Sequence, residues 1–181
     1  MRKLKYHVAS TVDGFIARED GSFDCFMQDR LTKESEHVND YLASWSTYGT
    51  ALMGRRTYEV GLKVGVTDPY PMMETYVFSR SLKESPNPRV KLVADDALTV
   101  VRQLKEQDGK DIYLAGGGEF ASLLFDAGLV DEVLIKLNPF LLGSGIPLSP
   151  KLRGLVNLEL LSTKVYKTGV ILLRYAVMHG Q

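Results

Sequence analysis

Short apolar segments alternate with segments of helical spacing along the first three quarters of the chain. The apolar segments are rich in β-branched and aromatic residues, which favours strands. The predicted strands lie within residues 4–17, 50–54, 75–80, 89–95, 111–117 and 132–139. The predicted helices lie within residues 34–49, 55–62, 97–107 and 119–128. This alternation indicates an α/β fold built on a mainly parallel sheet.

The pattern changes after Pro139. Residues 140–154 contain several glycines and prolines and are predicted to form a long loop. The apolar segments 157–166 and 169–177 are joined by a Lys-Thr-Gly turn, which favours an antiparallel hairpin at the edge of the sheet. There is no internal repeat and no linker, so residues 1–181 are expected to form one domain.

The composition narrows the possible functions. Lysine plus arginine and aspartate plus glutamate each number 22, so the formal net charge is zero, and we expect neither nucleic acid nor an anionic membrane as a partner. One cysteine among 181 residues excludes an intrachain disulfide. No apolar run reaches the 18 or so residues of a membrane helix, and we expect a cytoplasmic protein. The three histidines lack metal-ligand spacing, so no metal site is predicted.

Gly116, Gly117 and Gly118 lie at the junction of a predicted strand and a predicted helix. With the next residues they form the pattern G-x-G-x-x-A, in which free amides and the positive end of the helix dipole suit a phosphate. The alternative is a plain tight connection. The Rossmann fold is not predicted, because the glycines lie two-thirds along the chain and the acidic pair at 131–132 precedes the next strand.

A second strand–glycine–helix junction carries Arg55 and Arg56 directly after Gly54. Two adjacent guanidinium groups at a helix N-terminus form a local anion site in a neutral chain, and Thr57 adds a hydroxyl. The alternative is that the arginines are solvated and that Thr57 only caps the helix. A third strand end carries Ser79 and Arg80. Three such strand ends together indicate a nucleotide with several phosphates, and arginines near the ribose favour NADP over NAD.

Five segments, in order, resemble the dihydrofolate-reductase-like superfamily, and within it the C-terminal reductase domain of the bifunctional riboflavin-biosynthesis deaminase-reductase. They are VASTVDGFIA (8–17), LMGRRTYE (52–59), YVFSR (76–80), LAGGGEFASLLFDAGLVDEV (114–133) and NPFLLGSGIPL (138–148). The resemblance implies a three-layer fold, an eight-stranded mixed sheet and NADPH bound across the strand ends. The zinc motif of the deaminase half is absent from the sequence.

The resemblance also implies the residues that hold the cofactor. They are Ala9, Ile16, Gly54, Arg55, Arg56, Thr57, Ser79, Arg80, Gly116, Gly117, Gly118, Glu119 and Phe120. Residues 54–57 would hold the 2′-phosphate and pyrophosphate, residues 79–80 would flank the adenosine phosphate, and residues 116–120 would wrap the pyrophosphate.

By the same resemblance, Ala9 and Ile16 would border the nicotinamide. The bond between Gly116 and Gly117 is a candidate non-proline cis peptide. A tight turn and a close approach of the cofactor would both require residues without a Cβ.

The candidate catalytic acids are Asp40 and Glu36 on the first helix and Asp13 before Gly14. Dihydrofolate reductases carry an acid on the first helix that assists protonation of the pterin, and both helix residues lie in the corresponding region. A solvated helix face is the alternative for Asp40, and turn formation is the alternative for Asp13.

The resulting hypothesis is an NADPH-dependent reductase of a small heterocyclic or ribosylated pyrimidine substrate, with 5-amino-6-(5-phosphoribosylamino)uracil reduction as the named candidate. The alternatives are reduction of dihydrofolate or another pterin, and a non-catalytic NADP-binding protein. A homodimer is expected, because the apolar edge of the terminal hairpin should be covered.

Overall fold

The computed structural model describes residues 1–28, 31 and 35–179. Position 34, where the first predicted helix begins, lies outside the described residues. So does position 29. Among the described residues, no helix is long and apolar enough to cross a membrane.

The observed elements follow the predicted order. The strands are β1 (Leu4–Thr11), β2 (Phe15–Ala17), β3 (Tyr48–Gly54), β4 (Glu74–Phe78), β5 (Val90–Val93), β6 (Asp111–Gly116), β7 (Glu132–Asn138), β8 (Ile146–Pro147), β9 (Asn157–Val165) and β10 (Ile171–Met178). The α-helices within the described residues are α1 (Glu36–Ser44), α2 (Arg55–Lys63), α3 (Ala97–Glu106) and α4 (Gly118–Asp126).

Eight strands form one sheet in the order β5-β4-β3-β6-β1-β7-β10-β9. The pairs from β5 through β7 are parallel. β10 is antiparallel to both β7 and β9. The predicted mixed, mainly parallel sheet with a C-terminal antiparallel hairpin is therefore confirmed.

Helices cover both faces of the sheet. On one face, buried residues of α3 and α4, such as Val101 and Leu124, join Tyr6 and Leu114 in the largest core cluster. On the other face, Tyr58 of α2 packs with strand residues, and α1 lies over β1 through its Tyr41. Successive residues of a strand face opposite sides of the sheet. Because consecutive strand residues such as Leu52 and Met53 are both buried and apolar, both faces of the sheet need a covering layer of helices. The three-layer arrangement is confirmed.

Some details differ from the sequence-based predictions. The first helix ends at Ser44 and continues as a 3₁₀ turn (Trp45–Thr47) instead of reaching residue 49. In α4, Leu124 and Ala121 are buried and form the stripe that meets the sheet, whereas Leu123 is 44% exposed. The predicted loop 140–154 contains β8, which pairs with β2 and fixes this loop beside β1.

Candidate cofactor and substrate site

The three predicted anion-binding turns lie side by side. In the parallel register, Gly54 of β3 is opposite Phe78 of β4, and Met53 of β3 is opposite Gly116 of β6. The carboxyl ends of β4, β3 and β6 therefore form one continuous edge. This is where α/β sheets bind ligands.

The turn between β6 and α4 shows why glycines are needed there. The Gly116-Gly117 peptide is cis, as predicted, and Gly116 has φ +119°. A Cβ on Gly117 would lie 3.1 Å from the Thr57 hydroxyl oxygen. A Cβ on Gly118 would lie 2.6 Å from the carbonyl oxygen of Pro147. The chain itself, rather than a ligand, therefore occupies the space beside Gly118. Gly117 lies close to Thr57 and so brings the β6–α4 turn against the β3–α2 turn.

Helices α2 and α4 both begin in a way that suits an anion. Their N-cap residues, Gly54 and Gly117, provide no side-chain hydrogen bond to the first turn. The first N–H groups of both helices therefore lie at the same sheet edge without side-chain caps, beside the positive ends of two helix dipoles. This arrangement fits the phosphates of the dinucleotide that the resemblance implies.

The charged side chains at this edge pair with one another. The Arg55 guanidinium contacts the Glu59 carboxylate at 2.8 Å on the same helix. Arg56 reaches Glu119 at the start of α4, with 3.4 Å between Nη1 and Oε1. Lys151 contacts the same Glu119 oxygen at 3.1 Å. These pairs are exposed, so the arginines can exchange carboxylate for phosphate at small cost.

Ser79 and Phe120 have structural contacts of their own. The buried Ser79 hydroxyl accepts hydrogen bonds from the amides of Ser81 and Leu82. Phe120 packs on Phe78, with ring centroids 4.5 Å apart. Arg80 is exposed at the end of β4. Ser79 and Phe120 can therefore contribute shape and backbone groups to a cofactor site, and Arg80 can contribute charge.

The two residues predicted to border the nicotinamide lie on separate strands near the same end of the sheet. Ala9 is on β1, opposite Lys136 of β7. Ile16 is in β2, which contacts β1. Both are partly buried.

A cavity of about 60 Å³ lies between α1 and the β1, β7 and β10 strands. Its lining includes His7, Asp40, Tyr41, Lys136 and Tyr166. β1, which carries Ala9, lies next to β6 in the sheet, so the cavity lies beside the candidate cofactor edge.

The candidate acids on α1 are held by the terminal hairpin. Asp40 accepts hydrogen bonds from Lys164 at 2.6 Å and from the Tyr166 hydroxyl at 2.8 Å. These bonds, that of Lys164 first, hold the pKa of Asp40 below its ordinary value. Glu36 pairs with the same Lys164 at 2.7 Å. A carboxyl group with a lowered pKa is ionised at neutral pH, so a proton donor role for Asp40 requires that substrate binding raise its pKa.

Asp13 lies at a different place. It accepts hydrogen bonds from the Thr11 hydroxyl and from the amides of Leu142 and Gly143, and these bonds lower its pKa. Asp13 therefore fixes the loop after Phe140 to the end of β1. It is not among the residues that line the cavity with Asp40. The assignments of Asp40, Glu36 and Asp13 as catalytic acids stay predictions.

Sequence reasoning missed Lys136 and His7. His7 is buried, and this burial, with the charges of Lys136 and Lys5, lowers its pKa to about 4. Burial also lowers the pKa of Lys136. The sequence did contain a signal for Lys136, a lysine inside the apolar strand segment EVLIKLN (132–138). Residues two positions apart in a strand share a face, so Lys136 lies on the same face as Leu134, which lines the cavity under α1.

Comparisons with known proteins agree with this geometry. The uncharacterized protein YwjB of Bacillus subtilis (strain 168) is 33% identical over 169 residues, which is 93% of this chain and 95% of that protein. A putative riboflavin biosynthesis protein from Shewanella sp. PV-4 has a similar structure, with a TM-score of 0.84 and 22% identity over 99% of this chain and 100% of that one.

Two further structures share the fold at lower identity. One is the Thermotoga maritima diaminohydroxyphosphoribosylaminopyrimidine deaminase/5-amino-6-(5-phosphoribosylamino)uracil reductase, with a TM-score of 0.70 and 17% identity over 98% of this chain and 57% of that one. The other is Enterococcus faecalis dihydrofolate reductase complexed with NADP(H), with a TM-score of 0.65 and 17% identity over 97% and 94% of the two chains. Residues 2–172 match the RibD C-terminal domain. The chain therefore belongs to the RibD C-terminal domain family.

Proposed function

We propose that this chain is an NADPH-dependent reductase of a small heterocyclic or ribosylated pyrimidine substrate, of the type that reduces 5-amino-6-(5-phosphoribosylamino)uracil. The observation that carries the proposal is the pair of helices, α2 and α4, that begin at glycines on the adjacent ends of β3 and β6. Membership of the RibD C-terminal domain family supports it. So does the structural similarity to the Thermotoga maritima protein, which is a 5-amino-6-(5-phosphoribosylamino)uracil reductase.

The roles of the residues follow from their positions. When bound, NADPH supplies a hydride. Arg55 and Arg56 bind the 2′-phosphate, and the amides at the starts of α2 and α4 bind the pyrophosphate. Ala9 would border the nicotinamide, and it lies two residues along β1 from His7, which lines the cavity under α1. Lys164 and Tyr166 hold Asp40 at that cavity.

Reduction of dihydrofolate or another pterin is a second candidate. The observation that favours it is Asp40, an acid on the first helix that lines the cavity. Its ion pair with Lys164 counts against this candidate, because the carboxylate is already partnered.

The experiment is a titration with NADPH and with NADH, followed by quenching of the fluorescence of Trp45, the single tryptophan. We expect NADPH to bind more tightly than NADH. We also expect Arg55→Ala and Arg56→Ala each to weaken NADPH binding about tenfold, since each removes a charge-assisted contact. NADH should be less affected because it lacks the 2′-phosphate.

Arg102→Ala provides the matched control, because Arg102 is exposed on α3, a helix that carries none of the residues assigned to the cofactor. It should leave NADPH affinity within twofold. Absence of binding by either nucleotide would contradict the proposal. If NADPH binds, its oxidation by the ribosylated pyrimidine or by dihydrofolate distinguishes the two candidates. A bound nucleotide that neither compound oxidises indicates a non-catalytic protein.

A further inference from the structure

Lys136 is a cation that lacks a counter-charge on a mainly apolar part of the sheet. Among the described residues, no carboxylate or carbonyl group accepts a hydrogen bond from its ammonium, whose recorded contact is the Tyr41 ring at 5.8 Å. The other lysine at this cavity, Lys164, is paired with both Asp40 and Glu36. A partly buried ammonium without a paired charge destabilises the folded state. A bound anion that pairs with Lys136 would offset this cost.

The groups around Lys136 do not compensate for its charge. His7 on β1 and His37 on α1 line the same cavity. The pKa of each is lowered by burial and by the charge of Lys136, so both are neutral near pH 7. The Asp40 carboxylate is balanced by Lys164. Among the described residues that line the cavity, the Lys136 ammonium is therefore the charged group that forms no ion pair, and such a group favours an anionic ligand.

The position of Lys136 connects this charge to the reaction. Lys136 is opposite Ala9 in the β1–β7 pair, and Ala9 is the residue expected beside the nicotinamide. The cavity, at about 60 Å³, is large enough for one polar group and too small for a whole nucleotide-like substrate.

We propose that this cavity is an oxyanion subsite of the substrate pocket and that Lys136 is the residue that binds the anionic oxygen. The inference deepens the proposed function, because it names an anionic substrate for the same site. The oxygen belongs either to a phosphate ester or to an ionised pyrimidine ring. The unpaired Lys136 ammonium, a hydrogen-bond donor, favours both over the amidine-like donor edge of a pterin.

The test uses binding without nucleotide, so that its outcome is independent of NADPH. The ligands are ribose 5-phosphate, barbiturate (a pyrimidine that is anionic at neutral pH) and uracil as the neutral comparison. Trp45 provides the readout, because its ring lies 5.4 Å from that of Tyr41, which lines the cavity. We expect at least one anion to bind the wild-type protein and Lys136→Met to weaken it by about tenfold or more.

The control is Lys167→Met, since Lys167 is an exposed lysine in the nearby turn between β9 and β10. It should change affinity less than twofold. Loss of ribose 5-phosphate binding in Lys136→Met identifies a phosphate as the group that Lys136 binds. Loss of barbiturate binding in the same variant identifies a ring oxygen. Equal affinity in wild type and Lys136→Met, or no binding of either anion to the wild-type protein, would overturn the proposal.

Thermal unfolding of the same variants separates this role from a structural one. Lys136→Met should have an unchanged or higher melting temperature, because it removes an unpaired charge from a partly buried place. A lower melting temperature together with weaker binding would assign Lys136 a structural role and overturn the proposal. The NADPH titration tests the reductase function separately, so either hypothesis can fail while the other stands.

Discussion

Gly118 shows how one missing side chain determines the geometry of the candidate site. Its Cα faces the segment that follows β8, and a Cβ would lie 2.6 Å from the Pro147 oxygen and 2.7 Å from Pro150 Cδ. Neither distance is tolerated without a shift of the backbone. The contact therefore fixes the start of α4 against the 147–150 segment, and it places the first N–H groups of that helix at the end of β6.

We expect Gly118→Ala to lower the free energy of unfolding by about 1–3 kcal/mol, the usual cost of overpacking. Gly154→Ala is the matched control, because a Cβ there would meet nothing within 4 Å. It should change the stability by less than about 0.5 kcal/mol. Urea denaturation of both variants measures the difference, and equal stabilities would show that the loop yields to the added methyl group.

At the scale of elements, the first half of the loop between β7 and β9 is joined to β2 and to the turn after β1. β8 pairs with β2, and the Asp13 carboxylate accepts hydrogen bonds from the amides of Leu142 and Gly143. Since β2 also carries Ile16, this loop and the expected nicotinamide edge are held by the same contacts. Holding the amides of Leu142 and Gly143 is sufficient to explain the position of Asp13, and no role in proton transfer is needed.

We expect Asp13→Ala to speed hydrogen exchange at the amides of Leu142 and Gly143 by about tenfold, because both amides lose their acceptor. Asp108→Ala is the control, since Asp108 is exposed in the turn that follows α3. Exchange at residues 142–143 should be unchanged in that variant. Unaltered exchange in Asp13→Ala would mean that the β2–β8 pairing holds the loop without the carboxylate.

At the scale of the whole molecule, the sheet ends in a strand with apolar side chains in solvent. β9 pairs with β10 on one side and is the last strand of the sheet among the described residues. Its exposed apolar residues are Leu158, Leu160, Leu161 and Val165. An exposed apolar edge of this kind favours association. The occupant that we expect is a second copy of the same chain.

Sedimentation of the wild-type protein should therefore give the mass of a dimer, and Leu160→Glu should shift it toward the monomer. Ser162→Glu provides the control. The register of β9 and β10 shifts at a bulge, so that Leu160 is opposite Tyr175 and Ser162 is opposite Arg174. Because Arg174 and Tyr175 are consecutive in β10, they face opposite sides of the sheet, and so do Ser162 and Leu160. A wild-type protein that sediments as a monomer at all concentrations would contradict this expectation.

Much of the fold could be predicted because its signals are local. The spacing of apolar residues and the positions of the glycines identify β3, β6, α2 and α4 from short segments of the sequence. Because β3 and β6 are parallel neighbours, the helices that follow them begin at the same edge of the sheet. Elements with weak local signals were missed. β8 is a two-residue strand that contains Pro147, so neither alternation nor propensity could reveal it.

The sequence by itself determined the α/β class, the terminal hairpin and the two glycine turns, because each depends on residues within a few positions of one another. Only the tertiary structure decided that Lys136 forms no ion pair with any residue that the structure describes, since Asp40 is paired with Lys164, from a strand 124 positions later. Burial and charge balance arise between residues far apart in the chain. Local periodicity carries no information about such pairs, and they determine which side chains remain available to a substrate.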